Sequence, residues 1–279
     1  MEKRNLYKLI LFLCVLIGFV SIFIIYIINF QMITRSLDEL PDAKLVVLII
    51  LTRICILTGN SIYMYFKWFK QEEQYTSDIP FLFATFFLLL TFGKAIDLFF
   101  DLTYTFFNEI MNLMVIKLRF LLIIFTVLPL IYLSFVMILY SLSLKDRFIK
   151  LKEENYQNKV NLIIIIFTIS IELFLVLIVP NATSIAFLLP CVVIPSLLII
   201  IWLFAFAYRH KRLSQVNSLI LLIGFSLYLA SQIIRPLIQE IIGENAFYIN
   251  LAEIIDLIIF IIIFLGFYMN ANSKIPAKA

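Results

Sequence analysis

Eight apolar runs dominate the chain, at about residues 6–30, 45–66, 80–102, 118–142, 160–179, 186–208, 216–241 and 249–269. Each is close to the roughly 20 residues that an α-helix needs to cross a ~30 Å hydrocarbon core. Membrane strands would read as shorter segments of alternating polarity, so the runs predict helices. Composition agrees. With 63% hydrophobic residues, 14% charged residues and a mean hydropathy of +1.07, the chain departs far from an ordinary soluble domain. The expected fold is all-α: a polytopic bundle of eight transmembrane helices forming a single integral membrane domain over residues 1–279.

The first run opens with "MEKRNLYKLILFLCVLIGFV", basic residues followed by an apolar stretch, as a signal peptide does. The apolar part continues for about 25 residues without a small-residue cleavage site, which predicts a retained first helix. Between the fifth and sixth runs, Pro180, Asn181 and the following "ATS" predict a tight hairpin turn; "NAT" there also fits a glycosylation acceptor set against the bilayer.

Loop charge predicts orientation. With the N-terminus inside, fifteen basic residues fall on the cytoplasmic side, among them Lys67, Lys70, Lys145, Arg212, Lys274 and Lys278. The outer side receives Arg35, Lys44, Lys117 and Arg119. This bias places both termini in the cytoplasm and suits a plasma or cytoplasmic membrane. The formal net charge of +4 reflects the inner loops and matches an anionic leaflet; nothing in the pattern points to nucleic acid.

Three features bear on function less directly. Cys14, Cys55 and Cys191 fall inside predicted spans, which argues for packing rather than disulfides or metal binding. Tyr65, Trp68, Tyr104, Tyr140, Tyr208 and Tyr248 lie near span ends, as an interfacial aromatic belt would. Asn60, in "TGNS", is expected to hydrogen-bond a neighbouring helix.

A weak internal repetition accompanies the spans. Lys94, Asp97 and Asp101 in the third share their spacing with Gln232, Arg235 and Gln239 in the seventh, and the same offset of 138 carries Asn112 and Leu113 onto Asn250 and Leu251. Two parallel four-helix repeats, 1–143 and 157–272, would account for this.

The candidate site is the set of charges inside spans: Arg53, Lys94, Asp97, Asp101, Glu172, Arg235, Glu253 and Asp256. Lys94, Asp97 and Asp101 stand at i, i+3 and i+7, hence on one helical face. An ionised side chain near the centre of a membrane helix costs about 2.5–3.5 kcal/mol on insertion scales, so the charges must find partners. Lys117 and Arg119 are available to Asp97 and Asp101, and Arg235 to Glu253 and Asp256. Complete pairing would make the set a structural network, whereas incomplete pairing would leave an outward-opening ligand site.

Three function classes follow. The first is a non-enzymatic module that binds a small molecule or ion and acts as a sensor through a cytoplasmic or membrane protein partner, touching the basic segment 144–159. That segment could equally be a solvated loop drawn to anionic lipid in the surrounding bilayer. The second is a secondary transporter coupled to a proton or cation at a carboxylate such as Glu172 or Asp97; only six glycines in the chain argue against sliding helices. The third is a metal-dependent enzyme acting on a lipid or diphosphate through Asp97 and Asp101, which lacks a second acidic motif. A single histidine, His210 in an inner loop, gives neither a zinc ligand set nor a histidine-held haem, and no cofactor is implied.

Overall fold

The computed structural model describes residues 2–39, 43–144, 146–211, 213, 216–243 and 246–269. Of the basic residues expected inside, Lys145, Arg212, Lys274 and Lys278 lie outside the described residues. All regular structure among the described residues is helical: α1 (Glu2–Ile28), α2 (Phe30–Glu39), α3 (Ala43–Phe69), α4 (Ile79–Thr103), α5 (Glu109–Ser143), a 3₁₀ segment (Asp146–Lys152), α6 (Glu154–Ile178), α7 (Ala182–His210), α8 (Ser218–Ile242) and α9 (Ala246–Tyr268). Every helix except α2 is long and apolar enough to cross a membrane, giving the eight expected spans.

The caps explain where several helices begin. Asn108 Oδ1 accepts the Met111 N–H at 2.9 Å, Asn181 Oδ1 the Ser184 N–H at 2.8 Å, and Asn217 Oδ1 the Ile220 N–H at 3.3 Å. Each satisfies a backbone donor that the first helical turn leaves open. The cap at Asn108 starts α5 nine residues ahead of the expected run, so Lys117 and Arg119 stand two turns inside a helix rather than at its edge. Asn181 is thereby a helix cap in the predicted hairpin turn. At the other end of α8, Gly243 takes φ +82°, the left-handed conformation that stops a helix without a Cβ clash.

Between α1 and α3, where the apolar runs predict no further span, the structure has α2. Its ten residues are too few to span; Ile33 and Ser36 are buried while Arg35 and Glu39 form an exposed ion pair at 2.6 Å. That division of faces is the pattern of a helix lying along an interface.

By backbone proximity the chain forms two compact units, residues 1–133 with 166–189, and residues 134–165 with 190–279. In the first, α3 packs along α4. The buried face of α3 runs Val46, Ile50, Arg53, Leu57, Asn60 and Met64, alternating steps of four and three, as near-antiparallel knobs-into-holes packing requires. Helix α4 is buried on most sides and is the central element of this unit. Tight local bonding closes the α3–α4 turn: Asp78 Oδ2 accepts the Trp68 indole N–H at 3.2 Å and the Tyr75 N–H at 2.9 Å. In the same turn Tyr75 donates its hydroxyl to Glu73, which raises the tyrosine above its usual value. Helix α1 rests on α4, where Gly18 brings the backbone so near that a Cβ there would meet Phe92 at 2.6 Å. The Tyr26 hydroxyl donates to the Ala95 carbonyl at 2.7 Å.

In the second unit, α8 packs along α9. Two glycines close one end of this hairpin reciprocally: a Cβ on Gly224 would meet Ile263 at 2.7 Å, and one on Gly266 would meet Leu221 at 2.7 Å. The Asn217 N–H donates to the Gly266 carbonyl at 2.8 Å beside them. Small residues let helix backbones approach in lipid, where no hydrophobic force drives them together.

Several sequence expectations need correction. Tyr65 and Trp68 are buried against protein rather than standing in an aromatic belt, whereas Tyr104 and Tyr208 are exposed. The three cysteines are exposed and form no disulfide among the described residues, so they face outward instead of packing in the core. Ser61, not Asn60, bridges to α4, donating to the Ala84 carbonyl at 2.9 Å; the buried Asn60 Nδ2 has no partner among the described residues.

Moving α3, α4 and α5 along the sequence by the 138 residues that separate Asp97 from Arg235 brings their starts within one residue of those of α7, α8 and α9. Helix α1 does not land on α6, and α2 has no counterpart in the three residues joining α6 to α7.

Candidate functional site

The polar stripe of α4 sits where the helix is surrounded by protein, which removes the puzzle of charges in an apolar run. Lys94 is buried, 9% exposed, and its Nζ lies 3.4 Å from Asp97 Oδ2, an i, i+3 pair on one face. From α5, Arg119 meets the other oxygen of the same carboxylate through its Nε. Asp97 is therefore held between two cations, and Asp101 extends the stripe, half-buried, one turn further on. The second expected pair of this hairpin does not involve Lys117. Its Nζ donates instead to the Leu177 carbonyl at the end of α6, at 3.0 Å. Near its C-terminus a helix leaves carbonyls without intrahelical donors, so a lysine there satisfies a backbone group rather than a carboxylate.

The α8–α9 hairpin repeats the arrangement with signs exchanged. Arg235 Nη2 lies 2.5 Å from Asp256 Oδ1 and donates to the Ala252 carbonyl at 3.0 Å. Asp256 is 1% exposed and also accepts the Ser231 hydroxyl at 3.1 Å. Tyr248 donates to the Arg235 carbonyl at 3.2 Å, tying the start of α9 to the end of α8. Both arginine–aspartate contacts thus join consecutive helices. Asp97 and Arg235 are related by the 138-residue offset, and their partners Arg119 and Asp256 fall within one position of it.

The remaining candidates are placed as follows. Glu253 is buried on α9 one turn before Asp256, and Arg53 is buried on α3 at 2% exposure. Glu172, half-buried on α6, makes no hydrogen bond or ion pair among the described residues. The structure therefore brings together Lys94 and Asp97 with Arg119, and separately Arg235 with Asp256.

Beside the second cluster lies a cavity of about 340 Å³ between α8 and α9. Arg235, Ser231 and Tyr248 supply its polar groups; Leu227, Ile234, Ile238, Ile255 and Ile259 contribute to its apolar wall. The glycine-mediated approach at Gly224 and Gly266 closes the hairpin at one end and leaves this space at the other. Arg235 Nε is buried and has no acceptor among the described residues. A guanidinium has five donors, so an arginine that engages one carboxylate and one carbonyl retains capacity for a further oxygen. The sequence reading missed Ser231 and Tyr248. The i, i+4 step from Ser231 to Arg235 was the available signal.

No known protein family, curated protein or solved structure matches the chain.

Proposed function

We propose that the protein is a non-enzymatic small-ligand binding module of the plasma or cytoplasmic membrane, with both termini in the cytoplasm and its output passed to a protein partner. The ligand seat is the α8–α9 cavity. The single observation that carries this reading is Arg235: it is the one charged residue lining a mostly apolar cavity of about 340 Å³ and keeps a buried N–H without an acceptor among the described residues. Leaving such a donor unmet costs about 1–3 kcal/mol, more for a charged group, and a ligand oxygen that met the guanidinium after a small shift of the side chain would recover that cost. The chemistry selects a small, mostly apolar molecule with one strong acceptor.

The ion pair between Arg235 and Asp256 supports binding over metal chemistry. Asp97, one of the two acids on which the metal-dependent reading rests, is engaged by Lys94 and Arg119. Among the described residues no three histidine, cysteine, aspartate or glutamate side chains gather into a metal site. The coincident helix starts and sign-exchanged ion pairs support a duplication of the last three helices of each half, within the four-plus-four scheme. A second reading, proton- or cation-coupled transport, is favoured by Glu172, a carboxylate within a span that has no partner among the described residues.

Thermal unfolding of the purified chain against a panel of small metabolites and ions tests the binding reading, because a ligand of the folded state raises its apparent stability. A stabilising compound that loses its effect in Arg235→Gln supports the α8–α9 seat; retention of the effect in that variant removes it. Flux of the same compound into proteoliposomes would favour the transporter. Labelling of single cysteines placed at Lys70, Lys150 and Asn108 tests topology: the first two should react from the inside and the third from the outside.

A further inference from the structure

A second cavity, about 350 Å³, lies between α1 and α3 with α4 behind it, and its chemistry differs from the first. Lys8 stands at one end and is the only charged residue lining it. Its Nζ lies 5.4 Å from the centre of the Phe69 ring, and it makes no ion pair or hydrogen bond among the described residues. Lys67 and Lys70 follow on α3 and just beyond it at the same end of the pair of helices.

Away from Lys8 the cavity offers no open polar group. Thr58 donates to Ile54 at 2.8 Å, Ser61 to Ala84 at 2.9 Å, and the Tyr65 hydroxyl is 3.1 Å from that of Thr85. Each hydroxyl that lines the groove is thus bonded within the protein, and what remains exposed is apolar surface. The groove follows α1 from Lys8 to Phe19, eleven steps of ~1.5 Å or about 16 Å. That is half of the ~30 Å hydrocarbon core, the depth of one leaflet. Its width is fixed because α1 is anchored elsewhere: Gly18 rests against Phe92, Tyr26 bonds to Ala95, and the Tyr7 and Trp68 rings lie 5.9 Å apart.

We infer that this groove seats one acyl chain of an anionic phospholipid from the leaflet at the N-terminal end of α1, with the lipid phosphate on Lys8. The surrounding bilayer supplies the occupant. A one-leaflet apolar slot ending in a single lysine that has no ion pair among the described residues matches a chain and its phosphate in both length and charge. A zwitterionic lipid would fill the slot without the added attraction to Lys8, which for a basic residue at an anionic surface is a factor of about five.

The test uses the full chain, delipidated in detergent and offered equal amounts of phosphatidylglycerol and phosphatidylcholine with identical chains, with retained lipid counted by native mass spectrometry. The native protein should retain phosphatidylglycerol preferentially. Lys8→Ala, at an exposed position, should reduce that preference about fivefold, whereas Lys44→Ala, elsewhere on the chain, should leave it unchanged. Val15→Trp, which fills the groove, should reduce retention of both lipids while circular dichroism stays helical. Equal retention of the two lipids by the native chain overturns the inference, as does a preference that survives Lys8→Ala. Displacement of phosphatidylglycerol by equimolar oleate would also overturn it, assigning the seat to a free fatty acid.

Discussion

Arg235 on α8 and Asp256 on α9 approach to 2.5 Å, and the aspartate in that pair is almost wholly enclosed. Removing one member of a buried pair strands the other, which costs about 3–5 kcal/mol. Asp256→Asn should therefore lower the thermal midpoint strongly. The charge-exchanged double variant R235E/D256K should recover about half of the loss, since the two sites are directly coupled. Loss without recovery would mean that the surrounding Ser231 and Ala252 geometry, not the charge pair, holds the hairpin.

Glu172 provides the contrast. It has no partner among the described residues, so Glu172→Gln should change stability by no more than about 0.5 kcal/mol. Parallel melts of Glu172→Gln and Asp97→Asn read the difference directly. A large loss in the first would reveal a partner for Glu172 and weaken the transport alternative.

The glycines within helices divide into two groups, those with open space beside them and those pressed against a neighbouring helix. A Cβ at Gly59 or Gly93 meets nothing within 4 Å, and alanine there should be neutral or stabilise by up to about 1 kcal/mol through helix propensity. At Gly224 or Gly266 the same methyl would press on Ile263 or Leu221 at 2.7 Å, and overpacking of that kind costs about 1–3 kcal/mol. Four alanine variants and one denaturation series check the split.

Tyr75 should ionise later than an ordinary tyrosine because its hydroxyl donates to Glu73, outside any span. Its folded-state value is raised, so the associated stabilisation is complete below the ordinary tyrosine value of 10.0 and fades as pH rises through the raised one. Absorbance at the tyrosinate band should show one residue titrating earlier in Glu73→Gln than in the native chain. Superimposable titrations would remove the contact.

Much of the architecture was legible in the sequence because length and apolarity alone identify a spanning helix. The exceptions have local causes. Helix α2 is too short and too polar to register as a span, and α5 begins early because Asn108 caps it ahead of the apolar run. Pairing of Asp97 and Arg235 with the next helix followed from helical spacing and opposite charge. The destination of Lys117 did not, since it is a backbone carbonyl on α6, and carbonyls carry no sequence signal. The α8–α9 cavity was equally hidden: it depends on how closely Gly224 and Gly266 draw one end of the hairpin together.

The two ion-paired hairpins impose different demands on the order in which the ribosome delivers them. Lys94 and Asp97 offset each other within α4, which leaves Asp101, near the end of that helix, as its one unbalanced charge before α5 has been synthesised. Arg235 has no carboxylate within one turn on its own helix. Helix α8 therefore carries the full cost of its arginine, about 2.5–3.5 kcal/mol near a helix centre, until α9 delivers Asp256, so entry of the last hairpin as one unit is favoured over entry of α8 alone.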